Sequence, residues 1–143
     1  MKIEYIDNPK QNDIEIISES LFQYNCREVG VNDYKQIAFF LKNEKEIIVG
    51  GIIGWTRWGM AHIDNLWIEE MHRGKGYGLQ LLKCAEAVAL ERGCTFVDLD
   101  TFDFQAPIFY LKHGYREMFV LDGFGNGNKK YFMKKNLQSA QTH

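Results

Sequence analysis

Two periods of apolar and polar residues run through this chain, and they divide it into elements. Residues 2–6, KIEYI, alternate and predict a short first strand. In QNDIEIISESLFQYNC, Ile14, Ile17, Leu21 and Tyr24 recur at helical spacing, with Asn12 or Asp13 as the N-cap. YKQIAFFLKN and EIIVGGIIGWTRW read as strands joined by a turn at Asn43, Glu44 and Lys45, and MAHIDNLWIEE adds another after Gly59. Helical spacing then returns: Leu81, Leu82, Ala85, Val88 and Ala89 share one face, Lys83, Glu86 and Arg92 lie off it, and Gly93 stands at the C′ position. TFVDLDTF is a strand, and APIFYLKHG a short helix opened by Pro107 and closed by Gly114. YREMFVLD and KKYFMKKNL form a terminal hairpin across GFGNGN. The predicted order is β-α-β-β-β-α-β-α-β-β. This is an α/β (α+β) chain with a mixed, mostly antiparallel sheet of about seven strands flanked by helices.

Length and charge narrow the reading. The 143 residues suit one domain, expected over 1–137, with 138–143 (SAQTH at its end) as a frayed tail. Hydrophobic residues at 45% and charged residues at 25% fit a soluble globular protein. A net charge of -2 predicts no broad attraction to nucleic acid or to an anionic membrane. No run reaches the length of a membrane span, and MKIEYIDNPK lacks the apolar core of a signal peptide, so a cytoplasmic location is expected. Cys26, Cys84 and Cys94 form no Cys-x-x-Cys pair and read as buried or half-buried thiols, and no His/Asp/Glu cluster has metal-ligand spacing.

The stretch HRGKGYGLQLL, His72 to Leu82, carries the most distinctive chemistry. A strand runs into Arg73-Gly74-Lys75-Gly76-Tyr77-Gly78, and a helix starts at once. Helix starts leave amides without partners and carry partial positive charge, and glycines let a ligand approach the main chain. Phosphate oxygens suit such a site, and Arg73 and Lys75 add charge. Neither familiar phosphate motif fits. Gly74-Lys75 is followed by Gly76 rather than Ser or Thr, and a Gly-x-Gly-x-x-Gly pattern from Gly74 ends on Leu79.

Arg73-x-x-Gly76-x-Gly78 resembles the Arg/Gln-x-x-Gly-x-Gly/Ala signature of the GNAT superfamily of N-acetyltransferases. DFQAPIFYLKHGY resembles its second signature, with Asp103, Ala106, Phe109-Tyr110 and Gly114-Tyr115 in the matching places. The resemblance implies the GNAT fold and acetyl-CoA as donor. It implies a V-shaped split between the fourth and fifth strands, counting KIEYI as the first. It also implies a strand bulge near Leu66, Trp67 and Ile68 whose main chain pairs with the pantetheine as an added strand would. Arg73 through Gly78 would hold the pyrophosphate, and Asp103 the pantetheine arm.

Transfer of acetyl to an amine needs a base, a polarised carbonyl and a proton for the departing thiolate. The resemblance offers Tyr110 as that acid. The base stays open. Strand alternation places His62, Asp64 and Leu66 on one face and pairs Asp98 with Asp100; Asp64 ranks first, His62 second, and Asp98 and Asp100 behind them. Trp55 and Trp58 flank Arg57 in a hairpin that would wall the acceptor site, pack on the sheet or form a dimer contact. Glu69 and Glu70, before the glycine loop, would touch substrate or form a solvated turn, and His72 and His113 read as surface residues.

The expected function is direct acetyl transfer from acetyl-CoA to a primary amine, of a small molecule, without a metal or a covalent enzyme intermediate. The alternatives are a non-catalytic acyl-CoA-binding module and a peptide or protein acceptor. A homodimer is a further expectation from the resemblance, since members often dimerise.

Overall fold

The computed structural model describes residues 1–138, so most of the expected tail, from Ser139 on, lies outside the described residues. The chain forms two compact units, Met1–Asn32 and Asp33 onward.

The first unit is built on helix α1, Gln11–Val29. Its N-cap is Lys10, not Asn12 or Asp13, so the helix starts earlier than its capping residues suggest. Asp13 lies in the first turn, where its charge favours the positive end of the helix. Gly30 ends the helix at φ 84°, its amide donating to the Cys26 carbonyl at 2.8 Å. The strand expected at KIEYI is not formed. Its alternation supplies a pattern but no ladder, and Ile3 and Tyr5 stand exposed; a strand exists only through a neighbour that takes up its backbone groups.

The second unit is a six-stranded sheet in the order β1-β2-β3-β4-β6-β5. The strands are β1 (Lys35–Lys42), β2 (Ile48–Arg57), β3 (Met60–Ile68), β4 (Phe96–Phe102), β5 (Arg116–Phe124) and β6 (Asn128–Asn136). Helix α2, Tyr77–Glu91, connects β3 to β4, and helix α3, Pro107–Lys112, connects β4 to β5. β3 and β4 are parallel and every other pair is antiparallel.

One face of the sheet makes the core. Ile37, Ile52, Ala61, Ile63, Val97, Leu99 and Met133 meet Leu81, Leu82, Ala85 and Ala89 of α2, as the helical period predicts, and Val88 packs beside them. The end of α2 is a Schellman motif: the Gly93 amide donates to Leu90 at 3.0 Å and the Cys94 amide to Ala89 at 2.9 Å, with Gly93 at φ 80°. Beneath it, Arg92 donates to the Gln36 carbonyl and to the Thr56 hydroxyl, each at 3.1 Å, fixing α2 on the sheet. The Glu86 carboxylate accepts from Lys135 of β6 at 2.7 Å. All three cysteines are free, and Cys84 is exposed rather than buried, because it lies on the outer side of α2.

Two features of β3 place the site. It pairs with β4 only from Met60–Ile63 against Phe96–Leu99, after which the strands part. With the first expected strand absent, this is the split between β3 and β4. A bulge interrupts β3, since Ile53 faces Asn65 and Gly54 faces Ile63, leaving Asp64 as the extra residue. The bulge was expected near Leu66, Trp67 and Ile68 and instead sits earlier. Gly54 fixes its position. A Cβ there would fall inside the contact distance of the His62 carbonyl oxygen, with the His62 carbonyl carbon and the Ile63 Cα each only 3.1 Å away.

Candidate active site

The bulge reverses the alternation of β3. Ala61 and Ile63 face the core before it, and Leu66 and Ile68 after it. Leu66 therefore does not share a face with His62 and Asp64, as strict alternation predicts. His62 and Asp64 do stay together on the outer face, with His62 Nε2 3.6 Å from Asp64 Oδ1. Across the last paired rungs, His62 stands opposite Asp98, and its Nδ1 lies 2.8 Å from Asp98 Oδ1. Asp100 follows on the same face, ion-paired to Lys130 at 3.2 Å. Sequence reasoning treated His62, Asp64, Asp98 and Asp100 as rival bases; the fold gathers them into one cluster.

The cluster sets the titration of His62. The hydrogen bond to Asp98 is the largest influence and raises the imidazole above its ordinary value; burial opposes it, and the charges of Asp98, Asp64 and Asp100 add to it. Trp55, the cross-strand neighbour of His62, packs on its ring at 5.3 Å between centroids, and Tyr34 follows at 5.9 Å from Trp55. The Arg57 guanidinium lies over Trp58 at 4.2 Å and over Trp55 at 5.1 Å, so this hairpin meets a cation of its own.

At the open end of the split lies a groove of about 680 Å³. It is lined by Leu66, Trp67 and Ile68 of β3, by Arg73, Gly74, Gly76, Tyr77 and Gly78, and by Tyr110. Lys75 and Asp103 are not among its lining residues. Lys75 borders a second hollow of about 660 Å³ against the β1–β2 turn. The Asp103 carboxylate accepts from the Lys129 amide at 3.0 Å, and the Asp103 amide donates to the Lys129 carbonyl at 2.9 Å, so this residue clamps β4 to β6. Arg73 is turned onto its own chain, donating from Nε to the Ile68 carbonyl at 2.8 Å.

The glycine loop fits an anion. Gly76 is the N-cap of α2 at φ 86°, and no side chain caps the helix. The first helical bond there runs from the Gln80 amide to the Gly76 carbonyl, at 3.1 Å. The amides of Tyr77, Gly78 and Leu79 thus come before the ladder, at the positive end of the helix. The added Cβ would meet nothing at Gly76, so glycine is favoured there by its left-handed backbone and not by crowding.

Tyr110 enters the groove from α3. It is buried, and burial, with a smaller effect of Asp100, pushes its hydroxyl up to about 12. Its ring packs edge-on against Phe109 and Tyr115. Phe104, Gln105 and His113 also line the groove and were missed. His113 and His72 are half-buried rather than surface residues; His113 packs on Phe109 at 4.8 Å, and His72 approaches Glu69 at 3.5 Å. Gln105 closes the β4–α3 turn by accepting from the Phe102 amide at 2.8 Å. Only the fold brings these side chains to the groove. Gly54 did have a signal, because a glycine inside an apolar strand marks a bulge or a close backbone approach.

Comparison with known proteins places the chain in a family. The model of the acetyltransferase (GNAT) family matches residues 5–115, and the chain belongs to that family. It is an N-acetyltransferase, and GNAT acetyltransferases use acetyl-CoA. The blasticidin-S acetyltransferase of Streptomyces morookaense is 36% identical over 101 residues, covering 70% of this chain and 74% of that protein. A crystal structure of an acetyltransferase from Bacillus cereus is 38% identical, with a TM-score of 0.78 over 94% of this chain and 98% of that one. An acetyltransferase structure from Agrobacterium tumefaciens, 26% identical, superposes with a TM-score of 0.90 over 96% of this chain and 100% of that one. No helix among the described residues is long and apolar enough to cross a membrane.

Proposed function

We propose that residues 1–137 act as one domain that transfers acetyl from acetyl-CoA directly to a primary amine of a small cationic molecule. The observation that carries this reading is the parting of β3 from β4 after Ile63 and Leu99, beside a groove that holds both the uncapped start of α2 and Tyr110. The amides at the start of α2 bind the pyrophosphate. The parted edge of β3 at Leu66, Trp67 and Ile68 accepts the pantetheine as a further strand.

The acceptor comes from the outer face. Asp64, Asp98 and Asp100 attract a protonated amine there, and the Trp55 ring borders them. The amine must give up its proton before it can attack. His62 takes it on Nε2, and the exposed Asp64 beside it passes it to water. The amine nitrogen then bonds to the thioester carbon, gives up its second proton through His62 and Asp64 to water, and the carbon–sulfur bond breaks. Tyr110, which keeps its proton at any ordinary pH, protonates the departing thiolate and recovers a proton from solvent. One proton leaves per turnover, and no group on the enzyme is acylated.

The name of the Streptomyces relative points to an antibiotic acceptor, and blasticidin S heads the compounds to test. The test is a panel of cationic antibiotics, polyamines and amine-bearing peptides, read by thiol release. Saturable release with a small cationic amine supports the reading. Release only with peptides, or saturable acetyl-CoA binding without release across the panel, contradicts it.

A further inference from the structure

Asp98 takes no part in the proton transfers of that scheme, yet it makes the shortest contact of His62. Its carboxylate can only accept, so at 2.8 Å the His62 Nδ1 carries the hydrogen and the Nε2 lone pair is left free. Nε2 is the nitrogen that faces Asp64, 3.6 Å away. Trp55 packs on the ring at 5.3 Å and restricts its rotation. The contact is built into the sheet, because His62 and Asp98 are partners on one rung of the parallel pair β3–β4, next to the rung where the two strands part.

We propose that Asp98 is the positioning residue of the base: it selects the His62 tautomer with a free Nε2 and holds that nitrogen toward the acceptor beside Asp64. Asp98 touches neither substrate, and the proposal rests on the reading of His62 as the base. The proton taken by Nε2 turns the ring into a cation that lies between two carboxylates, Asp98 on Nδ1 and Asp64 on Nε2. Those charges stabilise the cation, and loss of the proton to water through Asp64 restores the neutral tautomer.

Other charges stand near this ring. From β4, Asp98 and Asp100 face it. From β3, Asp64 does. From β6, Lys134 stands opposite Asp98 in register and Lys130 pairs with Asp100. From β2, Arg57 lies over the Trp55 ring. Of all these groups only Asp98 is within hydrogen-bonding distance of His62.

Two readouts on Asp98→Asn test the proposal. The first is the NMR titration of the His62 imidazole in the free protein, which needs no acceptor. The second is the pH profile of kcat/KM, whose acid limb reports the base in free enzyme. An amide cannot stabilise the cation and can present its NH2 to Nδ1, favouring the wrong tautomer. The expected result is a lower titration midpoint, an acid limb moved to lower pH by the same amount, and a plateau reduced by roughly tenfold or more. Asp98→Glu should restore part of the plateau. If Asp98 only braces the strands, Asp98→Asn lowers the melting temperature and leaves midpoint and acid limb where they are; that result overturns the proposal. Acetyl transfer by Asp98→Asn with an unmoved profile overturns it too while sparing the transferase reading. A wild type that acetylates no amine overturns that reading, and the catalytic half of the proposal with it.

Discussion

Gly54 lies so close to the carbonyl of His62 that no Cβ fits between them. This approach fixes the place where β3 gains its extra residue, Asp64, and hence the side of the sheet on which His62, Asp64 and Leu66 each appear. Gly54→Ala should therefore disturb stability and chemistry together. The expected loss is about 1–3 kcal/mol, the usual cost of overpacking, with kcat/KM reduced by at least roughly tenfold because a small misplacement of the base slows transfer strongly. Thermal melting and thiol release measure the two effects. A stable, fully active Gly54→Ala would show that the bulge does not need this glycine.

Tyr110→Phe should lower kcat by roughly tenfold or more, as for loss of a general acid, and leave acetyl-CoA affinity near that of the wild type. Burial pushes the Tyr110 hydroxyl up to about 12, so its ionisation contributes no decline to the pH profile in the neutral and mildly alkaline range. Steady-state kinetics at saturating acceptor, with chemistry rate-limiting, decide this. An unchanged kcat would remove Tyr110 from its role.

His62 should also link stability to pH. Its folded-state value is raised, chiefly by the hydrogen bond to Asp98. The contribution is thus fully present below the ordinary imidazole value and is lost as pH rises through the raised one. The difference in urea midpoint between wild type and His62→Gln should be larger at about pH 5 than at about pH 8. A difference that grew with pH would have the wrong sign for this site.

Glu86 and Lys135 predict the opposite separation of effects. Their pair at 2.7 Å joins α2 to β6, and the Glu86 side chain is only 11% exposed. Glu86→Ala leaves Lys135 without its partner beside the Tyr115 ring. Stability should fall by about 1–3 kcal/mol, while KM for acetyl-CoA stays within about twofold, since neither residue lines the groove. Chemical denaturation and initial rates test the two halves.

What the sequence made legible follows from the range of each signal. Helix α2 and its glycine loop are local: apolar spacing, Gly76 before the first turn and Gly93 after the last define them within one stretch of chain. Tyr110 was found because a motif of adjacent residues carries it. The bulge was misplaced because its position depends on β2, where Gly54 admits the backbone of β3. The face of Leu66 was misassigned for the same reason. The cluster of His62, Asp64, Asp98 and Asp100 was not visible because β3 and β4 are separated in sequence by all of α2, and only the parallel rung brings Asp98 against His62. Asp103 was legible as part of a motif, whereas its bond from the Lys129 amide, which comes from a strand distant in sequence, was not. The strand expected at KIEYI shows that alternation proposes a strand while only a neighbouring ladder makes one.

The most direct measurement is calorimetric titration of acetyl-CoA into wild type, Gly76→Asp and Tyr110→Phe, with each fold checked by circular dichroism. Gly76 adopts a left-handed backbone at the uncapped start of α2. An Asp there puts a carboxylate at the amides assigned to the pyrophosphate and removes charge-assisted bonds, enough to weaken binding by roughly tenfold or more. The account predicts saturable binding by wild type and by Tyr110→Phe with similar affinity, and much weaker binding by a folded Gly76→Asp. Equal affinity in wild type and Gly76→Asp, or no binding by wild type, would contradict it.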